Sequence, residues 1–151
     1  VVDPYYQYGT LKFIPNLSAP TISASIYLPF FDGEWWSVMI SRTGSQYFDF
    51  YAANSIYNGD DGSTIGFIGS SSAKVNDSSW ISSPNSKYSY FPGWQNPDTF
   101  GGKNYIGFSG SYQEIRYYTV GLSSSVFYDY TMNPDSIEGN SLNSAPDQLA
   151  F

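Results

Sequence analysis

One segment of the chain combines aromatic side chains with polar side chains of the kind that bind sugars. Tyr90, Trp94, Asn96 and Asp98 lie close together in it, and Trp80 comes shortly before. An aromatic ring can stack on a sugar ring while amide and carboxylate groups hydrogen-bond the sugar hydroxyls. The segment therefore predicts a carbohydrate-binding loop. The same aromatic residues could instead fold back as a lid over the core or contact another subunit.

A second group of oxygen-bearing side chains lies in the turn at residues 58–62. Asn58, Asp60 and Asp61 carry the amide and carboxylate oxygens that calcium prefers, so they form a candidate calcium site. Asn-Gly and Asp-Gly pairs are also the most common hairpin residues, and the spacing differs from that of an EF-hand. A calcium site and a plain hairpin turn are both compatible with this segment.

The composition excludes most of the common catalytic groups. The chain contains no Cys and no His, which excludes disulfides, thiolate nucleophiles, Cys-based zinc sites and the Ser-His-Asp triad. Among the carboxylates, Asp32 and Glu34 flank Gly33 in a pattern typical of a tight turn. Glu114 is followed by Arg116 and by no second Glu in the same segment, so the segment lacks the pair of carboxylates about 5 Å apart that a retaining glycosidase uses. We expect no enzymatic activity.

Charge and length limit the partners and the domain count. Six Lys and Arg against 13 Asp and Glu give a net charge of −7, so the chain would repel phosphate backbones, and we expect no nucleic-acid binding. It has no run of about 20 apolar residues, and we expect no membrane insertion. The 151 residues fit a single domain, with its core at about residues 8–133. Because the chain begins without Met, we interpret it as part of a longer polypeptide, with a processed N-terminus as the alternative.

Apolar and polar residues alternate along much of the chain, which predicts β-strands. Aromatic residues make up 20% of the chain and charged residues only 13%, a composition unlike that of helical bundles. Strands are expected at Tyr8 to Ile14, Thr21 to Leu28, Glu34 to Arg42, Gln46 to Ala52, Thr64 to Gly69 and Lys103 to Phe108. The alternation predicts these inward-facing residues: Ile22, Ala24, Ile26, Leu28, Trp36, Val38, Ile40, Phe48, Phe50 and Ala52.

Turn residues and one helix signal complete the predicted architecture. Tight turns are expected at Asp32-Gly33, Thr43-Gly44, residues 58–62 and Gly101-Gly102. The Ser-rich segment from Ser70 to Phe100 is expected to be a long functional or partly structured loop. Ser123 can cap a short helix that ends at Asn133, before a proline. The fold class is therefore all-β, an antiparallel β-sandwich with one short C-terminal helix.

Three segments in order resemble one family. Phe31 to Arg42, Tyr47 to Tyr51, and Ile106 to Tyr118 are similar to successive strands of concanavalin A-like, laminin G-like jelly rolls. A turn and a short helix follow, as in that family, and the match covers roughly residues 20–133. Trp36 replaces a frequent His of the family, and Gln113 replaces its usual Asp. In the last of these strands, we expect Ile115 and Tyr117 to face the core, and Glu114 and Arg116 to pair with adjacent strands.

The Tyr-rich strands and the ending from Met132 to Asn140 are most similar to laminin G-like modules in structural proteins of large aquatic viruses and tailed phages. This resemblance implies a non-enzymatic virion structural or attachment module, on the virion surface or outside the cell. It implies a lectin-like surface for glycans or a host surface, and oligomerisation with other virion subunits. The alternative is a purely structural capsid, fibre or tail decoration module that acts through protein–protein contacts. In that case Tyr47, Tyr51 or Tyr90 would become buried on assembly.

Overall fold

The computed structural model describes residues 7–15, 22–44, 46–59, 62–74, 111–118 and 120–135. These residues form five strands and one helix, and the all-β class with a short C-terminal helix is confirmed. In chain order the elements are β1 (Gly9–Phe13), β2 (Ala24–Leu28), β3 (Ser37–Thr43), β4 (Tyr47–Tyr57), β5 (Ser63–Lys74) and α1 (Ser124–Met132).

The strands form two antiparallel sheets. β1 pairs with β2, with Gly9 opposite Leu28 and Phe13 opposite Ala24. The second sheet has the order β3-β4-β5. Gly44 between β3 and β4 has a φ of 70°, and both Gly59 and Gly62 between β4 and β5 have positive φ. These are conformations that glycine adopts readily, and the turns predicted at these two places are confirmed.

The core lies where β2 packs on β4 and β5. Ala24 and Ile26 of β2 are buried in one cluster with Phe50 and Ala52 of β4. The approach of the two sheets is close: a Cβ on Gly69 would lie 2.5 Å from Cγ2 of Ile26. The inward faces predicted for β2 and β4 are therefore confirmed.

The burial predicted for β3 is wrong. Val38 and Ile40 are 48% and 50% exposed, whereas Ser41, expected on the outer face, is only 4% exposed. Val38 and Ile40 do lie on the core-side face, opposite Ala52 and Phe50 of β4, but β2 packs mainly over β4 and β5. On the other face, the segment that precedes α1 covers Ser41, whose hydroxyl donates to the Leu122 carbonyl at 3.2 Å.

Strand β5 is longer than predicted. Thr64 to Gly69 was the expected strand, and Ser70 was the expected start of the long loop, but pairing continues to Lys74 opposite Tyr47. Serine has little intrinsic preference for strands, so the run of serines resembles a loop, yet pairing with β4 overrides that preference. The predicted strand from Lys103 to Phe108 and the Gly101-Gly102 turn lie outside the described residues.

The core-facing strand predicted around Ile115 is also corrected. Residues 111–117 form no strand, and Ile115 and Tyr117 are 47% and 58% exposed. The inward side chain is instead Arg116, whose guanidinium lies 4.7 Å from the ring centroid of Tyr130 in α1. Arg116 pairs with Glu114 on its own segment, with Nε 2.7 Å from Oε1, whereas the sequence predicted pairing with an adjacent strand.

Helix α1 has the predicted start and end. The Ser123 hydroxyl accepts a hydrogen bond from the Val126 N–H at 3.4 Å, and Asn133 closes the helix by donating its N–H to the Asp129 carbonyl. Phe127 is buried, and its ring centroid lies 5.9 Å from that of Tyr51. The helix therefore covers the face of β4 opposite to the one that packs on β2. In the part of the chain described above, no helix is long and apolar enough to cross a membrane.

Candidate functional site

Most of the binding residues predicted from the sequence lie outside the described residues. These are Trp80, Tyr90, Trp94, Asn96 and Asp98 of the predicted sugar-binding loop, and Asp60 and Asp61 of the predicted calcium turn. Both sites stay predictions.

Asn58 is the described member of the calcium turn, and it holds the hairpin together. Its backbone N–H donates to the Gly62 carbonyl at 2.9 Å, and its side-chain Nδ2 donates to Thr64 Oγ1 at 2.7 Å. This use of the amide nitrogen leaves Oδ1 as the side-chain atom that could face a cation. Within the described ranges, no three acidic side chains come together as a metal site.

An open pocket of about 520 Å³ lies where the hairpin end of β5 meets the end of α1. Ser63, Met132, Asn133, Pro134 and Asp135 line it, so it offers hydroxyl, amide and carboxylate groups. Its wide opening suits solvent or a loosely held small polar molecule better than tight binding of a ligand.

Asp32 and Glu34, the acidic residues that flank Gly33, belong to the tight turn that the sequence predicted. The Asp32 Oδ1 accepts hydrogen bonds from the Glu34 N–H at 3.0 Å and from the Trp36 Nε1 at 3.1 Å. Gly33 has a φ of 82°. The Trp36 ring also contacts Phe30 edge-on, with centroids 4.7 Å apart. The Asp32 carboxylate thus fixes the entry into β3.

The outward face of the β1–β2 sheet carries an aromatic pair that the sequence reasoning did not single out. Leu11 and Phe13 of β1 pack against the core, so alternation places Tyr8, Thr10 and Lys12 on the opposite face. In β2 the same rule places Ser25 and Tyr27 outward. We call this surface the Tyr8–Tyr27 face; it consists of Tyr8, Thr10, Lys12, Ser25 and Tyr27.

The two rings of the Tyr8–Tyr27 face lie side by side in contact with solvent. Their centroids are 5.3 Å apart and their planes are inclined by 32°, and Tyr27 is 66% exposed. Thr10 is directly opposite Tyr27 in the strand register, and its side chain is also exposed. An open aromatic surface therefore lies beside a hydroxyl group on two paired strands.

Lys12 and Ser25 complete the Tyr8–Tyr27 face. They are directly opposite each other in the register, and both are exposed. Lys12 is therefore a diagonal neighbour of Tyr27, at a Cα separation of about 7 to 8 Å for such pairs, which a long side chain can span. The signal in the sequence was Tyr27 itself, an aromatic residue at an outward position of an otherwise clear alternation.

A separate electrostatic cluster anchors residues 111–118 to α1. Arg116 donates to the Pro134 carbonyl as well as to Glu114, and the Tyr118 ring lies 6.1 Å from that of Tyr130. Burial raises the pKa of Tyr118 to about 12; the neighbouring Tyr130 adds to the rise, and Arg116 opposes it. These contacts satisfy the partly buried cation within the protein, so the cluster has a structural role.

No protein family matches the chain, and neither a curated protein nor a solved structure does. The resemblance to laminin G-like domains therefore depends on the sequence segments quoted above.

Proposed function

We propose that this chain is a non-enzymatic β-sandwich module of the concanavalin A-like, laminin G-like class that binds glycans, as an attachment module on the surface of a virion. The packing of β2 over β4 and β5, with α1 on the opposite side of β4, is compatible with such a sandwich. The resemblance in sequence supports the virion setting.

The observation that carries the proposal is the ring pair of the half-buried Tyr8 and the exposed Tyr27. Tyrosine offers a large, rigid and amphipathic contact surface, and little conformational entropy is lost when it is fixed by a ligand. The apolar face of a sugar ring would stack on Tyr27 while the Thr10 and Ser25 hydroxyls bond the sugar hydroxyls. Such a shallow site binds weakly by itself, and many copies on one particle would supply the avidity.

A glycan array probed with the 151-residue chain tests this proposal. The wild type is expected to bind a limited set of glycans, and Tyr27→Ala is expected to weaken that binding at least about tenfold, because the stacking surface is lost. Tyr57→Ala is the matched control, since Tyr57 is 76% exposed and lies on the other sheet. An array without hits, or hits that Tyr27→Ala leaves unchanged, would contradict the proposal as stated.

Running the array with calcium and then with a chelator tests the predicted calcium turn. If the turn at residues 58–62 holds calcium that supports binding, the chelator and Asp60→Ala should reduce the same signals. Equal binding with calcium and with the chelator would show that the turn closes the hairpin and does not support glycan binding through calcium.

A second function, particle building through protein–protein contacts, is favoured by the half-exposed side chains of Val38 and Ile40. They form an apolar strip on the core-side face of β3, next to the region that β2 covers. A stable subunit interface needs more than about 1,000 Å² of buried surface, and this strip could contribute to one. Sedimentation of the wild type and of Ile40→Lys would show a concentration-dependent assembly that the charge abolishes. A monomeric wild type would argue against a homomeric interface of this kind.

A further inference from the structure

Among the described residues, no ion pair involves Lys12, which lies on the Tyr8–Tyr27 face. Other cations of the described residues are occupied: Arg116 pairs with Glu114, Lys74 lies 5.6 Å from the centroid of the Tyr47 ring, and Arg42 has an interaction of its own. Lys12 is exposed, and within the described segments no carboxylate lies at ion-pair distance from it. A positive charge is thus available beside the aromatic pair.

We propose that the Tyr8–Tyr27 face binds acidic saccharides, with the sugar ring on Tyr27 and its carboxylate or sulfate group at Lys12. This inference rests on the proposed glycan-binding function and names the class of ligand. The register supports it, because Thr10 is opposite Tyr27 and Lys12 is opposite Ser25. A sugar ring stacked on Tyr27 would therefore have the Thr10 hydroxyl opposite it on the paired strand and the Lys12 ammonium group diagonally beside it.

The net charge of −7 affects which acidic saccharides this face can bind. At physiological ionic strength, charges separated by more than about 8 Å are largely screened, so a direct contact with Lys12 outweighs the distant acidic groups. Closely spaced polyanions would bring further negative charges towards the acidic protein and be repelled. The face should therefore select saccharides with isolated acidic groups over densely charged polymers.

Matched saccharide pairs on an array test the inference. The probes are oligogalacturonates with their neutral methyl esters, sialylated glycans with their asialo forms, and sulfated with desulfated glycans. The wild type should prefer the acidic member of at least one pair by about fivefold, the range for an exposed ion pair. The pair that shows the preference distinguishes a carboxylate ligand from a sulfate ligand.

The variants Lys12→Gln and Lys74→Gln separate the local cation from a general effect of charge. Both remove one exposed lysine from a strand, and thermal unfolding checks that both variants are folded. Lys74→Gln should keep the acidic preference, whereas Lys12→Gln should bind both members of each pair equally.

The outcomes also separate this inference from the proposed function. Glycan binding that depends on Tyr27 but shows no acidic preference, or a preference that survives Lys12→Gln, would overturn the role of Lys12 and leave the glycan-binding proposal standing. Absence of binding to every member of every pair would overturn both.

Discussion

The indole Nε1 of Trp36 donates a hydrogen bond of 3.1 Å to the carboxylate of Asp32, four residues earlier. The same carboxylate oxygen accepts the N–H of Glu34, so one acidic side chain holds both the turn and the ring that leads into β3. The bulky Trp36 is thereby fixed against Phe30 and Phe67 at the end of the sheet.

Asp32→Ala should therefore destabilise the protein. Two hydrogen bonds to a charged acceptor are lost, and we expect the free energy of unfolding to fall by about 1 to 3 kcal/mol. Urea denaturation measures the change. Glu34→Ala is the control, because Glu34 contributes its backbone N–H to this turn, and it should change the stability by no more than about 0.5 kcal/mol. Equal effects of the two substitutions would show that the Asp32 carboxylate is not the anchor.

The contact between Gly69 and Ile26 predicts a second effect on stability. Because a Cβ at Gly69 would meet Ile26 Cγ2 at 2.5 Å, Gly69→Ala should separate β5 from β2 and destabilise the protein by about 1 to 3 kcal/mol. Ser70→Ala, at the exposed neighbouring position, should be nearly neutral. Combining Gly69→Ala with Ile26→Ala should be less harmful than the sum of the two single changes, because the smaller side chain makes room. Additive effects in that double-mutant cycle would contradict direct packing of Ile26 on Gly69.

The elevated pKa of Tyr118 predicts a loss of stability at alkaline pH. Its folded-state pKa is raised from 10.0 to about 12, so the folded state favours the neutral phenol. This contribution is fully present below the unfolded pKa and is lost as the pH rises through the interval up to the folded pKa. Denaturant unfolding over that interval should show a steeper fall in stability for the wild type than for Tyr118→Phe. Tyr57→Phe, at an exposed position, should retain the wild-type slope, and a wild-type slope in Tyr118→Phe would contradict the assignment.

The elements that follow from local sequence were predicted well. Alternation placed Ala24 and Ile26 inward, glycines marked the turns at Gly44 and Gly59, and Ser123 marked the start of α1. Each of these depends on the period of the strand, on a backbone conformation favoured by glycine, or on a capping hydroxyl. The sequence contains this information within a few neighbouring residues.

The wrong predictions depend on contacts between distant segments. The exposure of Ile40 follows from how far β2 extends over the second sheet, and the burial of Ser41 follows from Leu122, which is 81 residues away. Arg116 turns inward because its guanidinium contacts the ring of Tyr130 in α1 and the carbonyl of Pro134, which follows α1. Alternation alone carries no information about which partner covers a face.

The Tyr8–Tyr27 face was only partly predictable. Alternation places Tyr27 outward, but the approach of Tyr8 and the diagonal position of Lys12 depend on the pairing of β1 with β2. A shift of that register by one residue would place these side chains on the core side. The face therefore needs the sheet register as well as the sequence.

Saccharide binding at the Tyr8–Tyr27 face can be observed residue by residue in an NMR titration of the ¹⁵N-labelled chain with the acidic and neutral saccharides of the array. We expect saturable shifts concentrated at the amides of Thr10, Lys12, Ser25 and Tyr27, and these shifts should disappear in Tyr27→Ala. Shifts confined to residues away from β1 and β2, or no shifts with any of the saccharides, would contradict saccharide binding at this face.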